Sequence, residues 1–400
     1  MVQAGTASPP RFDSADPAVL DSPYSTYARL RASGPLCRFA PSAWGVTRHA
    51  EVSALLREPG LVKYFLPESY YEAVAGNGPA SGFFQRMDIA RGDPRVRQVL
   101  THGLGAAASR RLAPRVEEAA DRVLEPLLGA GTVDVVADLA RPLVLAVLGE
   151  LVGIPPQLRG EVSGHVEAMV RFGGLDGMNE RTVAAADAAV ERLREIVTAG
   201  LRERDRSGGD DLLARLAEVT ADEEVRGRAV DNVLALLYAG LDTTTNLISA
   251  GCAALAEHPD QFERLREAPD AAANAVEEFL RYDAPIQVTP RMLRREVRVG
   301  DRVLRPGRVV MLMLGSANHD ERVFREPERL DVLRHPNPHV SFGGGSFFCF
   351  GAAQARANAT LLFQRIAVRC AALVPGGRPD RVPQFSFRSF ARLPMRLAAT

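Results

Sequence analysis

The longest helical segment that the sequence predicts runs from about Glu223 to Glu257, and it constrains the fold more than any other feature. Pro259 lies just beyond this segment and acts as a stop. Two further segments, beginning at Ser109 and Arg181, carry apolar residues at three- and four-residue spacing without the alternation of a strand. These segments together predict a mainly helical protein.

A fourth helix and a small β portion complete the pattern. The helix is predicted to begin near Pro269, with Asp270 as its capping residue, and to end before Pro285. Residues 296–314, "EVRVGDRVLRPGRVVMLML", predict short strands separated by Gly-Asp and Pro-Gly turns. Because the sequence shows neither a repeat nor a long linker, we expect a single domain over residues 1–400, mainly α with a small β portion.

Composition narrows the function classes. The formal net charge is zero, so charge indicates neither a nucleic-acid nor a membrane partner, and no apolar stretch is long enough to span a bilayer. The four cysteines are scattered without a CxxC pair, which argues against a disulfide framework and predicts a reducing, cytoplasmic setting. Lys63 is the only lysine, and a composition so rich in arginine, alanine and glycine indicates a high-GC bacterial coding bias.

Cys349 stands at a junction in "FGGGSFFCFGAAQAR", residues 342–356. Glycines before and after the cysteine allow the backbone to approach a planar ligand closely. A helix predicted directly after the sulfur would stabilise its thiolate form. Two alternatives remain open for this loop, a buried structural cysteine and a phosphate-binding loop, although the Gly-Lys-Ser/Thr of a phosphate loop is missing.

Polar residues interrupt the middle of the long helix in "LLYAGLDTTTNL", residues 236–247. Burying the Asp242 carboxylate beside the Thr243 hydroxyl is costly without partners, and such a pair can deliver protons in a dry pocket. The alternative is that the threonines bond back to their own helix while Asp242 is solvated.

Glu278 and Arg281 stand three residues apart on one predicted helix, so they can pair. Such a pair is usually a surface salt bridge of little value, and alone it carries almost no information.

The order and spacing of these three motifs resemble those of the cytochrome P450 family over nearly the whole chain, in its soluble bacterial, actinomycete-like branch. The residues that match its haem-binding loop and the helix after it are Phe342, Gly343, Gly345, Cys349, Gly351, Ala355 and Arg356. The residues that match its oxygen-activating helix and its ExxR pair are Ala239, Gly240, Asp242, Thr243, Glu278 and Arg281.

The resemblance implies a role for each match. Cys349 would be the thiolate ligand of iron in haem b, and Asp242 with Thr243 would supply protons. Other haem contacts would come from Phe342, Gly343, Gly351, Ala239 and Gly240, with Arg291 and Arg97 as partners of the propionates. Glu278 and Arg281 would form a buried triad whose third member we expect to be Arg329, with Arg334 as the competitor.

Three positions depart from the family pattern. Phe347 stands where the family usually has a histidine or arginine that contacts a propionate, and Asp93 stands where an HxxxR motif would begin. Gln354 replaces a typical leucine of the next helix. We therefore expect an arginine-only clamp on the propionates, with Arg95 or Arg97 assisting Arg291.

The resemblance implies a monooxygenase that receives electrons from a ferredoxin and its reductase and oxidises a small, largely apolar molecule. Natural-product tailoring by hydroxylation or epoxidation is the expected activity, on a free or a carrier-tethered substrate. Two alternatives are weighed: a peroxide-driven or non-oxygenating relative, and a catalytically silent scaffold. The intact Asp242–Thr243 pair argues against the former, and the presence of Cys349 argues against the latter.

The substrate pocket is predicted to be apolar and partly aromatic. Residues 63–87 would roof it, and the C-terminal "RSFARLPMRL", which resembles the family's hairpin over the haem, would add a turn. The predicted lining residues are Phe83, Phe84, Leu237, Leu241, Ile286, Val288, Thr289, Phe390 and Ala391.

Overall fold

The computed structural model describes residues 9–40, 43–63, 75–87, 93–173 and 179–400, and helices dominate these ranges. Short 3₁₀ turns and one π-helical turn connect some of them. The α-helices are Pro17–Asp21, Tyr24–Ser33, His49–Leu56, Pro79–Arg86, Pro94–Leu104, Ala106–Leu124, Arg141–Val152, Pro156–Gly173, Glu180–Ser207, Leu212–Val219, Glu223–Glu257, Pro259–Glu267, Ala272–Tyr282, Leu314–Ala317 and Ala352–Arg369.

The strands are short and form a minor part of the fold. They are β1 (Leu36–Ala40), β2 (Ala43–Val46), β3 (Leu61–Lys63), β4 (Thr132–Asp134), β5 (Thr289–Leu293), β6 (Val297–Val299), β7 (Arg302–Leu304), β8 (Val309–Leu312), β9 (Cys370–Pro375), β10 (Asp380–Arg381), β11 (Phe390–Arg392) and β12 (Pro394–Ala399). Within the described ranges, none of the helices combines the length and apolar character that crossing a membrane requires.

The chain forms two compact units, each assembled from separate stretches of sequence. Unit 1 comprises Met1–Tyr64, Glu277–Cys349 and Arg381–Ser389. Unit 2 comprises Phe65–Val276, Phe350–Asp380 and Phe390–Thr400. The single domain expected over residues 1–400 stays a prediction.

Unit 1 is built on a five-stranded sheet in the order β1-β2-β8-β5-β3. The β2–β8 pair is parallel and the other three pairs are antiparallel. Because side chains alternate along a strand, β1, β2 and β8 each contribute to two buried clusters. Leu36 and Val310 belong to one cluster, whereas their neighbours Cys37 and Met311 belong to the other.

Unit 2 is organised around the long helix Glu223–Glu257, which is buried along most of its length. Asp222 caps this helix by accepting hydrogen bonds from the backbone N–H groups of Glu224 and Val225 at 2.9 and 3.0 Å. The C-terminal strand β12 lies between β4 and β9 in a three-stranded sheet.

The structure confirms most of the predicted elements. The long helix has the predicted bounds, and the helices predicted from Ser109 and Arg181 span Ala106–Leu124 and Glu180–Ser207. The three strands expected in residues 296–314 are β6, β7 and β8. The capping role of Asp270 was wrong: residues 269–271 form a 3₁₀ turn, and the α-helix begins at Ala272.

Candidate active site

The cysteine loop of unit 1 is a tight turn that depends on glycine. Gly343 and Gly345 have φ angles of 71° and 60°, in the left-handed region that side chains with a Cβ rarely adopt. A Cβ on Gly345 would lie 2.7 Å from the backbone oxygen of Leu56. The loop closes where the Cys349 N–H donates to the carbonyl of Phe342 at 3.0 Å. Glycine is therefore required both by conformation and by close packing.

The thiol of Cys349 differs from the other three in its environment. Cys349 is exposed, whereas Cys37, Cys252 and Cys370 are buried. Burial raises the pKa of Cys37 to about 12 and that of Cys370 to about 11, and it also raises the pKa of Cys252. A thiolate is therefore disfavoured at these three positions, which leaves Cys349 as the candidate metal ligand.

Arg291 on β5 is a buried cation with neutral partners. Its Nη1 donates to the Thr289 hydroxyl at 2.7 Å and to the Pro290 carbonyl at 2.8 Å. The guanidinium carbon lies 4.8 Å from the ring centre of Phe347, two residues before Cys349. Burial lowers the pKa of Arg291 to about 10, so the site favours an anion that would compensate its charge.

Phe347, one of the departures from the family pattern, therefore has a physical role. Its ring stacks on the Arg291 guanidinium by a cation–π contact and fixes this arginine beside the cysteine loop.

Asp93 also has a local explanation, because it caps helix Pro94–Leu104. Its Oδ1 accepts from the Arg95 backbone N–H at 2.8 Å, and its Oδ2 pairs with the Arg95 guanidinium at 3.1 Å. The Arg95 guanidinium pairs with Asp93 here, and its assistance to Arg291 stays a prediction. Arg97 is exposed on the same helix, and its contact with a propionate stays a prediction.

Gln354, the third departure, lies in a buried polar contact within unit 2. It accepts a hydrogen bond from the Ser109 hydroxyl at 3.1 Å and donates to Asn358 at 2.6 Å. Gln354 lies on helix Ala352–Arg369, which follows the cysteine loop and has Gly351 as its N-cap. The contact joins this helix to helix Ala106–Leu124. The polar atoms of Gln354 therefore have hydrogen-bond partners, although the family usually has a leucine at this position.

The pairing of Glu278 with Arg281 is confirmed, and both side chains are completely buried. Arg281 donates from Nε and Nη2 to the two oxygens of Glu278 at 2.7 and 2.8 Å. Its remaining N–H groups donate to the backbone oxygens of Asn318, Pro327 and Arg329. This is a buried ion pair with its hydrogen bonds made, unlike a surface bridge.

The third member of the triad is Arg334, and the prediction of Arg329 was wrong. Arg334 Nε lies 3.1 and 3.0 Å from the two oxygens of Glu278, and its side chain is 11% exposed. The Arg329 side chain is 64% exposed and lies 3.7 Å from Glu326, while only its backbone oxygen accepts from the triad. The 325–334 loop folds back so that the later arginine reaches the carboxylate.

Asn318 connects this network to the cysteine loop. Its Oδ1 accepts from the Val340 N–H at 2.9 Å, and its Nδ2 donates to the Ser341 hydroxyl at 2.7 Å. Because Asn318 also accepts from Arg281, the triad fixes the chain immediately before Phe342. The spacing of Asn318 in the sequence gave no signal of this role.

In unit 2 one residue near the centre of the long helix is exposed. Ala239 is exposed, although Leu237 and Leu241 on either side of it are buried. The Thr243 hydroxyl donates to the Ala239 carbonyl at 2.6 Å, and Gly240 lies between them. A Cβ on Gly240 would meet only the Leu148 side chain, at 3.4 Å.

Asp242 has a partner that the sequence analysis missed. Arg141 Nη2 lies 3.5 Å from Asp242 Oδ1 as an ion pair, and this buried oxygen has no hydrogen-bond partner in the described part of the chain. Burial raises the pKa of Asp242, and the Arg141 charge opposes that rise. The alternative is therefore confirmed for Thr243, whose hydroxyl bonds back to its own helix, and wrong for Asp242, which is largely buried.

The predicted pocket residues occupy both units. Residues 64–74 of the predicted roof lie outside the described ranges, while Phe83 and Phe84 are buried on helix Pro79–Arg86. The Phe84 ring lies 5.2 Å from the rings of both Phe172 and Tyr238.

The other predicted lining residues divide by burial. Leu237, Leu241, Val288 and Phe390 are buried, Ile286 and Thr289 are partly buried, and Ala391 is exposed. Val288 packs in a core cluster of unit 1. Contact of this whole set with a substrate stays a prediction.

Comparisons with known proteins identify the family. The cytochrome P450 family model matches residues 175–397. Cytochrome P450 107B1 of Saccharopolyspora erythraea is 32% identical, and the match covers 96% of this chain and 97% of the relative. The 6-deoxyerythronolide B hydroxylase of the same organism is 33% identical over 94% of this chain and 96% of the relative.

A solved structure of P450BioI with an acyl carrier protein ligated to hexadec-9Z-enoic acid has the same fold. Its TM-score is 0.87 at 28% identity, and the match covers 95% of this chain and 99% of that one. The fold is therefore the cytochrome P450 fold, mainly helical with small sheets.

The described residues also fit haem b on their own evidence. The exposed residues Phe348 and Cys349 follow the glycines of the loop, which suits a flat apolar group with an iron atom. A buried arginine with neutral partners suits the carboxylates of that group. The chain therefore belongs to the cytochrome P450 family and is a monooxygenase with haem b as its cofactor.

Proposed function

We propose that this monooxygenase inserts one oxygen atom of dioxygen into a small, largely apolar organic molecule, as a tailoring hydroxylase or epoxidase of natural-product biosynthesis. One observation carries the oxygen-dependent mechanism, the buried Asp242 carboxylate next to Thr243 in unit 2. The proposal treats residues 1–400 as one functional P450 domain in the cytoplasm.

Cys349 would hold the haem iron, and Arg291 would hold a propionate. Haem iron with a thiolate ligand, when bound, supplies the activation of dioxygen. Gly343 and Gly351, with Phe342, would let the backbone approach the haem plane, as Ala239 and Gly240 would from the long helix. The buried triad of Glu278, Arg281 and Arg334 would keep the cysteine loop in place and takes no part in the chemistry.

Asp242 and Thr243 would move the protons that the reaction consumes. Burial raises the pKa of Asp242, so this carboxyl group binds a proton more readily than a solvated aspartate. Thr243 uses its own hydrogen in the bond to the Ala239 carbonyl, which leaves its oxygen lone pairs to accept a hydrogen bond from water or from Asp242. The Ala239 carbonyl thereby orients the Thr243 oxygen so that it can hold a proton-donating water.

The substrate class is supported by the side chains predicted to line the pocket. Phe84 belongs to an aromatic cluster with Phe172 and Tyr238, which suits an apolar molecule with a rigid skeleton. The relative named 6-deoxyerythronolide B hydroxylase supports a natural product. The neighbour solved with a ligated acyl carrier protein supports a test of carrier-tethered substrates beside free ones.

Electrons would come from a ferredoxin and a ferredoxin reductase. The test compares turnover of a candidate substrate with NADPH and such a redox system against turnover with hydrogen peroxide alone. We expect product only with the redox system, and efficient peroxide-driven turnover would favour the peroxide-using alternative.

The Thr243→Ala variant tests the proton-delivery role in the same assay. We expect haem content to be kept while product per NADPH falls about a hundredfold and hydrogen peroxide accumulates, because the hydroxyl that holds the proton-donating water is lost. Thr245→Ala is the matched control, since its hydroxyl also bonds back, to Leu241 at 2.8 Å, but is buried. An unchanged yield in Thr243→Ala would limit Thr243 to a helix-bonded structural residue.

A further inference from the structure

Helix Pro79–Arg86 of unit 2 begins without a capping side chain of its own. Its N-cap is Gly78, whose φ and ψ of −74° and 174° are usual for an N-cap and are accessible to any amino acid. Serine, threonine, asparagine or aspartate is preferred at such a position, because its side chain accepts a hydrogen bond from an N–H of the first turn. The backbone conformation of residue 78 therefore does not explain why it is glycine.

Asp187, on helix Glu180–Ser207 of the same unit, takes the place of the missing side chain. Its Oδ1 accepts a hydrogen bond at 2.8 Å from the N–H of Ala80, the first N–H of the helix, since Pro79 has none. A Cβ on Gly78 would lie 2.3 Å from Asp187 Oδ2 and 2.6 Å from Oδ1, too close for atoms that are not bonded. Glycine at position 78 thus leaves room for a carboxylate from another helix, and a carboxylate suits the positive end of the helix dipole.

The helix capped in this way carries the Phe84 ring into a tightly packed aromatic cluster. The ring lies 5.2 Å from the rings of Phe172 and Tyr238. A Cβ on Gly173 would lie 3.1 Å from the Phe84 ring and 2.6 Å from the Tyr238 hydroxyl, so the space around the ring is filled. Because close-packed side chains transmit backbone shifts, the position of the helix determines the position of the ring.

We propose that Asp187 is a positioning residue of the substrate pocket: it ties helix Pro79–Arg86 to helix Glu180–Ser207 and thereby fixes the Phe84 ring against the substrate. The inference rests on the proposed function, in which Phe84 lines the pocket. A cap within the helix would stabilise that helix alone, whereas a cap from Asp187 also fixes it to the helix on which it packs. Asp187 acts through Phe84 and needs no contact with the substrate.

Spectral titration of the haem-loaded protein with imidazole and 4-phenylimidazole tests this role. Both probes bind haem iron, and only the second adds an aromatic ring for Phe84 to contact. Loss of the cap in Asp187→Ala should weaken binding of 4-phenylimidazole about fivefold and leave the imidazole affinity unchanged. Asp187→Asn keeps an acceptor oxygen and should stay within about twofold of wild type. Glu191→Ala is the matched control, because Glu191 is exposed one turn further along the helix, and both affinities should be unchanged.

A double variant separates the positioning role from the stability of the helix. Gly78→Ser combined with Asp187→Ala gives the helix a cap of its own, and removal of the carboxylate makes room for the new Cβ. We expect the melting temperature of the double variant to recover towards that of wild type, while the loss of 4-phenylimidazole affinity persists. Recovery of that affinity in the double variant would overturn the positioning role and leave Asp187 as a stabiliser of the helix.

Phe84→Leu separates the inference from the assignment on which it rests. If the Phe84 ring lines the pocket, this variant should lose at least as much 4-phenylimidazole affinity as Asp187→Ala. A loss in Phe84→Leu together with wild-type affinity in Asp187→Ala would overturn the role of Asp187 alone. Wild-type affinity in Phe84→Leu would overturn the place of Phe84 in the pocket, and the positioning role with it.

Discussion

Arg334 donates from one nitrogen, Nε, to both carboxylate oxygens of Glu278, at 3.1 and 3.0 Å. Glu278 also accepts from the Asp331 N–H at 2.9 Å and from the Asn337 amide at 3.1 Å. One buried carboxylate therefore organises the loop that precedes the cysteine.

Replacing Arg334 should destabilise the protein far more than replacing Arg329. Arg334→Ala strands part of the Glu278 charge in a buried site, which costs roughly 3–5 kcal/mol of unfolding free energy, whereas surface substitutions such as Arg329→Ala stay within about 0.5 kcal/mol. Denaturant unfolding and haem content of the two variants measure this difference. Equal stability of both variants would contradict the assignment of Arg334 as the third member of the triad.

Cys349→Ser should abolish the spectrum of thiolate-ligated haem, because the remaining thiols are buried and their pKa values are raised. The measurement is the absorbance of the reduced, carbon monoxide-bound protein. Cys252→Ala serves as the control and should keep the spectrum. A thiolate signature that survives in Cys349→Ser would assign the ligand to another cysteine.

Removing Arg141 should shift the ionisation of Asp242 upward in pH. The Arg141 charge lowers the pKa of a carboxyl group whose pKa burial raises, so Arg141→Met leaves the raising effect unopposed. Infrared difference spectra would follow the protonated carboxyl band, assigned by its loss in Asp242→Asn. The band should persist to higher pH in Arg141→Met, and an unchanged titration would show that the 3.5 Å contact has no electrostatic role.

Acid should destabilise the protein partly through His319, whose ring lies 4.2 Å from that of Tyr24. Burial, helped by the Arg281 charge, lowers the pKa of His319 to about 3. A lowered histidine pKa means that the folded state prefers the neutral ring. Its contribution is fully present above the ordinary value of about 6.5 and is lost as pH falls toward 3.

The measurement is the unfolding free energy of wild type and His319→Asn between pH 7 and pH 4. Wild type should lose roughly 1.4 kcal/mol per pH unit more than the variant below about pH 6. Asp283 also has a lowered pKa and loses stability in acid in both proteins, so only the difference reports on His319. Parallel curves would show that the ring titrates normally.

Local pattern and family spacing were enough to predict the helices and to single out Cys349 as the candidate iron ligand. The bounds of Glu223–Glu257 follow from an aspartate cap and a proline stop, which act over a few residues. The glycines of the cysteine loop likewise predict its tight turn, because Gly343 and Gly345 adopt positive φ angles.

What the sequence could not predict depends on chain reversals and on distant partners. Arg329 and Arg334 are equivalent in type, and only the fold of the loop decides which side chain faces Glu278. Arg141 and Asp242 lie about 100 residues apart and meet through helix packing, which no local pattern encodes.

The parallel pairing of β2 with β8 has a consequence for how the protein is made. Residues 43–46 can pair with residues 309–312 only after the latter have been synthesised. The first part of unit 1 therefore leaves the ribosome before its partner strand β8 exists. At typical synthesis rates that delay is on the order of tens of seconds. During this interval the apolar faces of β1 and β2 lack their partner strand, which favours association of the nascent chain with chaperones.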